Sequence, residues 1–280
     1  MEYILLATIL TSTLLAAADG SGGGNFVGPS IDEYFPPVIL FAGTPFELNR
    51  ILLIRLLAVL VLVLVLWLGT RKLKLIPSRG QSVMEFAIDF ARKGIAIDTL
   101  GEKEGKRFAP LIMTIFFLTL ALNLTGTIPG LQIASTGLIG QALLLAVIAY
   151  VAFMYAGIRK FGVGHFFKNA LWLPGVPVFL KPIIAVLEVL STFIVRPITL
   201  TLRLTMNMVA GHMLLALCFL ATGFFYTLLV SGNALGLIGA GTLLLGIAFT
   251  VLELFVAALQ AYIFAILTAI YIQLALADGH

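Results

Sequence analysis

The sequence is short of charge and of reactive side chains, and each shortage excludes a class of function. Only 11% of the 280 residues are charged while 61% are hydrophobic, a balance that excludes a soluble domain and leaves a polytopic membrane protein. The single cysteine, Cys218, lies inside an apolar run. It has no internal disulfide partner and no metal-ligand spacing, so it reads as a small core residue. No His-Glu-x-x-His pair and no nucleophile placed beside a base occurs, which argues against an intramembrane enzyme and gives no site for a metal or cofactor. Gly20 to Gly24 are not followed by Gly-Lys-Ser/Thr, so they form a linker rather than a phosphate loop. The net charge of +4 is carried in loops between apolar runs, which fits membrane topology and not nucleic-acid binding.

What is present is a succession of apolar runs. Residues 1–18 are apolar from Tyr3, end in Ala16-Ala17-Ala18 and lack an early basic residue; a cleaved signal peptide and a short anchor are both open. Residues 19–50 carry Asp19, Asp32, Glu33 and Glu47 against Arg50 alone, and read as an extracytoplasmic segment. A membrane domain is expected over residues 51–277.

The first clear span runs from Ile51 to Gly69, long enough to cross the ~30 Å hydrocarbon layer. The loop over residues 71–107 holds more than half of the 17 basic residues, which places it in the cytoplasm. Within that loop Val83, Phe86, Ala87, Phe90 and Ile95 share one helical face, predicting an amphipathic helix on the membrane surface. Further spans are expected at Phe108 to Thr127 and Leu138 to Ile158, the latter returning to Arg159-Lys160.

Beyond Pro182 two apolar runs follow, residues 183–230 and 234–277, each roughly twice the ~20 residues of a perpendicular span. No Lys or Arg follows Arg203, and the one strong loop signal is Ser231-Gly232-Asn233. The expectation is two long, tilted, antiparallel helices, with Gly236, Gly239, Gly241 and Gly246 packing closely on a neighbour. The fold class is therefore all-α, with about five membrane-embedded segments and a cytoplasmic amphipathic helix.

Polar residues inside these runs are the candidate chemistry. Glu188, Arg203, Asn207 and His212 interrupt the first run; Glu253 and Gln260 interrupt the second. A guanidinium stays protonated and costs at least about 3 kcal/mol in mid-membrane, so it needs compensation. Asn207, four residues on, shares its helical face, whereas His212, nine on, points the opposite way. Glu253 and Gln260 are seven apart and share a face. An antiparallel hairpin then brings Gln260 near the level of Arg203, and Glu253 near that of His212. Imidazole and carboxylate exchange protons near neutral pH, so the pattern reads as a proton path ending at an arginine. A Glu and a His could also pair merely to lower their insertion cost. So many polar groups around one arginine weigh against that.

The stretch Leu202-Arg203-Leu-Thr-Met-Asn207-Met-Val-Ala-Gly211-His212, with Phe255 to Tyr271 around Gln260, closely resembles subunit a of F-type ATP synthases. Ala109-Pro-Leu, Asn123 and Arg196-Pro197 fit as well. The resemblance covers about residues 33–277. Lys103-Glu-Gly-Lys106 and the pairing of His212 with Glu253 resemble the actinobacterial branch. A proton- or ion-coupled secondary transporter is the alternative, although the N-terminal spans do not resemble the C-terminal pair as related halves would.

The resemblance implies a stator that holds two offset proton half-channels against a rotating ring of c subunits. Arg203 matches the essential arginine facing the ring carboxylate. Glu253, His212, Gln260, Asn207 and Asn123 match positions in or near the inlet half-channel, and Glu188 an acidic position of the other. Glu188 stands one residue farther from Arg196-Pro197 than in some relatives, and Gly126 stands where others carry an acid. Implied partners are the c-ring, the peripheral-stalk b subunits, the rest of the F1F0 complex and the bilayer. The implied location is a bacterial plasma membrane, with the N-terminus extracytoplasmic and the C-terminus cytoplasmic. Nucleotide chemistry would lie on other subunits.

Overall fold

The computed structural model describes residues 38–40, 48–71, 78–127, 137–164 and 181–277, and only the backbone of residues 38–40, 48, 181, 182, 185 and 188. The expectation for residues 1–18 lies outside the described residues. Two short strands, β1 (Val38–Leu40) and β2 (Leu48–Asn49), pair antiparallel, Val38 opposite Asn49. Every other described element is helical.

Among the described residues, five helices are long and apolar enough to cross a membrane: Arg50–Arg71, Arg79–Thr127, Ile139–Phe161, Leu190–Val230 and Ala234–Leu276. The first, α1 (Arg50–Arg71), buries only Ile51 and Ile54 against the rest of the protein. Most of its Leu and Val side chains, and Trp67, are exposed, as lipid-facing side chains should be. Arg71 lies over the Trp67 ring, 4.7 Å from its centroid, joining a cation and an indole as membrane interfaces favour.

The amphipathic helix α2 (Arg79–Asp89) starts at Ser78, whose side chain accepts from the Gln81 amide, a helix N-cap. Its expected apolar stripe divides in two. Val83 and Phe86 are 70% and 74% exposed, while Ile95, in the following π-helical segment Phe90–Ile97, is wholly buried with Ala91 and Ala96. Val83, Phe86 and Phe90, the last 41% exposed, are free to face a bilayer surface, while Ile95 enters the core.

Helix α3 (Asp98–Thr127) bends at Gly101, where φ is 78° and ψ is 172°, a conformation essentially confined to glycine. Helix α4 (Ile139–Phe161) stops at Gly162, also at positive φ. Helix α5 (Lys181–Val189) passes through a π turn, Leu190–Val195, into α6 (Arg196–Val230). The wider turn lies just before Pro197. A proline ring clashes with the carbonyl four residues earlier, here inside that turn, so local widening makes room.

The connection from α6 to α7 (Ile238–Leu276) is as tight as its sequence suggests. Gly232 adopts φ 84° and donates to the Leu229 carbonyl, and the Asn233 side chain caps Leu235. The two helices then zip together. A Cβ on Gly236 would lie 2.4 Å from Leu229 Cα, one on Gly239 3.1 Å from Phe225 Cβ, and one on Gly246 3.3 Å from the Phe219 ring. Thr222 and Thr242 join hydroxyls at 2.9 Å between these contacts. Gly241, expected to pack closely, faces open space. With 41 and 43 residues, the two arms are about 60 Å long, so neither fits a ~30 Å core upright.

Helix α7 is the centre of the bundle. Ala257, Ala261, Ala265 and Ala269 recur every fourth residue and are fully buried, giving a small-residue seam that lets helices approach closely. One core cluster joins Ala261, Ala265, Ala269 and Ile272 to Ile112 and Phe116 of α3 and to Ile95. A second joins Phe264 to Ile115 of α3, Leu145 of α4 and Leu204 of α6.

Candidate functional site

The site forms where α3, α6 and α7 meet. From α6, Arg203 presents an exposed guanidinium among Leu202, Met206 and Leu214, which are also exposed. Its neighbours on the inner face, Leu200 and Leu204, are buried against Phe264, so the hairpin core holds this level fixed. No described residue forms an ion pair or hydrogen bond with Arg203.

Asn207, one turn on, reaches across the hairpin. Its Nδ2 donates to Gln260 Oε1 at 3.0 Å. Gln260 is 2% exposed, so its side-chain carbonyl is satisfied by that amide. The level expected for Gln260, near Arg203, is found; its polar partner is Asn207 rather than the guanidinium.

Glu253 lies two turns from Gln260 on the same face of α7 and is 4% exposed. Both of its carboxyl oxygens lack a hydrogen-bond partner among the described residues. Its position depends on Gly211: a Cβ there would stand 2.8 Å from Glu253 Oε1 and 3.1 Å from Cδ. Gly211 is therefore the residue that makes room for the acid. His212, next in the chain and half-buried, stands at the level expected for it, although the Glu253 oxygens accept no hydrogen bond from it.

Asn123 comes from α3. It is wholly buried and its Nδ2 donates to the Ala257 carbonyl at 3.3 Å, midway along α7 between Glu253 and Gln260. Thr119, one turn earlier, is also wholly buried, with no hydrogen-bond partner for its hydroxyl among the described residues. Gly126 is buried in the same helix. The Glu188 side chain lies outside the described residues, and its backbone belongs to α5. The structure thus gathers Asn123, Asn207, Glu253 and Gln260 around one stretch of α7, with Arg203 on the outer surface beside them.

Two features were not singled out from sequence. Gly211 was one glycine of a motif, and only the helix register shows what its missing Cβ admits. The other is a small cavity lined by Tyr150, Thr192, Arg196, Leu200 and Tyr271, where the Arg196 guanidinium lies over the Tyr271 ring at 5.4 Å.

A bundle of membrane-length helices with an exposed arginine and a buried carboxyl on one hairpin defines a polytopic membrane protein of the ion-handling class. The ATP synthase A chain family model matches residues 51–273, and the chain belongs to that family. It is 45% identical over 272 residues to the ATP synthase subunit a of Rhodococcus erythropolis, covering 97% of this chain and 96% of that one. It is 38% identical over 267 residues to the subunit a of Pseudarthrobacter chlorophenolicus, covering 94% and 98%. A similar 38% extends over 244 residues to that of Gluconobacter oxydans, covering 86% and 93%. The matches are mostly actinobacterial.

Proposed function

We propose that this chain is the stator subunit of a bacterial F-type ATP synthase, forming two offset proton half-channels against a ring of c subunits and coupling proton flow to ring rotation. The observation that carries this reading is Arg203: a permanent cation exposed on an apolar helix face, with no partner among the described residues. Such a charge is compensated by an acid on another molecule. A ring carboxylate passing it gives up its proton, because the ion pair favours the charged carboxylate. The guanidinium does not deprotonate, so it relays nothing and bars a direct leak between half-channels. Protons must travel with the ring. One charge crossing 100 mV yields about 2.3 kcal/mol, so several are needed for each ATP.

Glu253 and His212 serve as the inlet exchange groups in this reading. The Asn207–Gln260 bond joins α6 to α7 and Asn123 joins α3 to α7 beside them, and Glu188 belongs to the outlet. Residues 51–277 form the membrane domain, preceded by an extracytoplasmic segment over residues 19–50, in a plasma membrane with the C-terminus cytoplasmic. The peripheral-stalk b subunits and the remaining F1F0 subunits complete the assembly, and nucleotide binds elsewhere in it. The test is Arg203→Ala in the assembled complex. ATP-driven proton pumping in membrane vesicles should disappear while the c-ring remains bound; pumping at the normal rate overturns the reading.

A further inference from the structure

Away from that site, at the opposite end of α4 from its start, two cations converge on one neutral oxygen. Arg159 Nη1 donates to the Tyr155 hydroxyl at 2.5 Å, and Arg107 Nη2 of α3 approaches the same oxygen at 3.5 Å. Both guanidiniums also lie 5.8 Å from the Tyr155 ring centroid. Tyr155 and Arg159 are exposed, and the Arg107 side chain is 35% exposed.

The charges around this point do not balance. Glu104 is 3.5 Å from Arg107 Nη1, on a different nitrogen from the one directed at Tyr155. Arg159 has no acid within ion-pair distance among the described residues. Lys160 is committed elsewhere, donating to the Leu276 carbonyl at 2.6 Å at the end of α7. Two like charges sharing a phenol repel one another, more so beside a low-dielectric bilayer, and a bridging anion reverses that cost.

The surface leading to this point supplies the second half of a recognition site. Leu144, Val147, Ile148 and Val151 are 53%, 48%, 38% and 59% exposed. At helical spacing they form one apolar stripe along α4 that ends at Tyr155. We propose that Arg107, Tyr155 and Arg159 bind the headgroup phosphate of one anionic phospholipid, whose acyl chains lie along this stripe. A phosphodiester has two non-bridging oxygens, one for each guanidinium fork, and the Tyr155 hydroxyl still has its proton to donate. Basic pockets between membrane helices hold lipid headgroups in this way. The inference depends on the membrane fold and is independent of the rotary reading.

The test uses the intact complex in phosphatidylcholine nanodiscs doped with phosphatidylglycerol, with retained lipid counted by native mass spectrometry. The wild-type complex should hold one more phosphatidylglycerol than the Arg107→Gln/Arg159→Gln double variant. Apparent affinity should fall roughly 25-fold, about fivefold for each cation removed. Tyr155→Phe should weaken retention less, and Arg107→Lys/Arg159→Lys should keep part of it. Equal retention in wild type and the double Gln variant overturns the proposal. If that variant fails to assemble, a density map of the wild-type complex in the same nanodiscs decides. Headgroup density on both guanidiniums supports the site; a polypeptide side chain there, or no density, overturns it.

Discussion

The carboxyl group of Glu253 rests against the bare Cα of Gly211, so closely that a single methyl group on Gly211 would stand 2.8 Å from Oε1. An acid on one arm of the hairpin is thus placed by an absent side chain on the other. Gly211→Ala should push Glu253 off its position and slow proton pumping, while Gly211→Val should nearly abolish it. Shortening the acid makes room, so Gly211→Ala/Glu253→Asp should pump faster than Gly211→Ala alone. Pumping by assembled complexes in inverted vesicles measures all three; no recovery in the double variant counts against the steric account.

Glu253 and His212 occupy neighbouring levels on facing arms. Glu253→Gln should slow proton uptake, and exchanging the two residues should be milder than losing either, because acid and imidazole both survive. An exchange as damaging as both losses together would show that the two do not work as neighbours. Pumping rates of the two single variants and the exchange provide the comparison.

Asn207 and Gln260 are joined by one hydrogen bond, and a double-mutant cycle isolates it. With Asn207→Leu and Gln260→Leu, the coupling energy should be about 0.6 kcal/mol and no more than about 1.7, the range for hydrogen bonds between membrane helices. Denaturant unfolding of the detergent-solubilised complex gives the four stabilities. Asn123→Leu should destabilise by a similar amount, since it removes the bond to the Ala257 carbonyl.

Gly101 and Gly80 form a paired control for backbone strain. Neither has an atom within 4 Å of where a Cβ would sit, but Gly101 has φ +78° and Gly80 is helical. Gly101→Ala should cost about 1–3 kcal/mol through strain alone. Gly80→Ala should stabilise by up to about 1 kcal/mol through helix propensity. Opposite shifts in unfolding midpoint are the expected result.

The hairpin is legible in the sequence because two signals agree: the absence of Lys and Arg after Arg203, and one turn tripeptide, Ser231-Gly232-Asn233. The level of Gln260 and Glu253 followed from counting residues away from that turn. What counting could not supply was register to one residue. That register decides whether the Gln260 amide meets Arg203 or Asn207, and which glycine faces Glu253. The division of the apolar stripe after Phe90 was hidden for a related reason. A helical period assumes a straight axis of constant pitch, and the π turn at Phe90–Ile97 changes both. Tyr155 gave little signal, since Arg159 one turn on is ordinary for a helix end and the second arginine, Arg107, approaches from α3, distant in sequence.

In the proposed role beside a rotating ring, the alanine seam of α7 acquires a mechanical meaning. A surface that is to receive torque at Arg203 must not creep, and flexible side chains would yield before the backbone does. Ala257, Ala261, Ala265 and Ala269 are fully buried, and side chains this small leave little between the helices that can bend. Stiffness in this chain thus comes from its smallest side chains, along the helix that also carries Glu253 and Gln260.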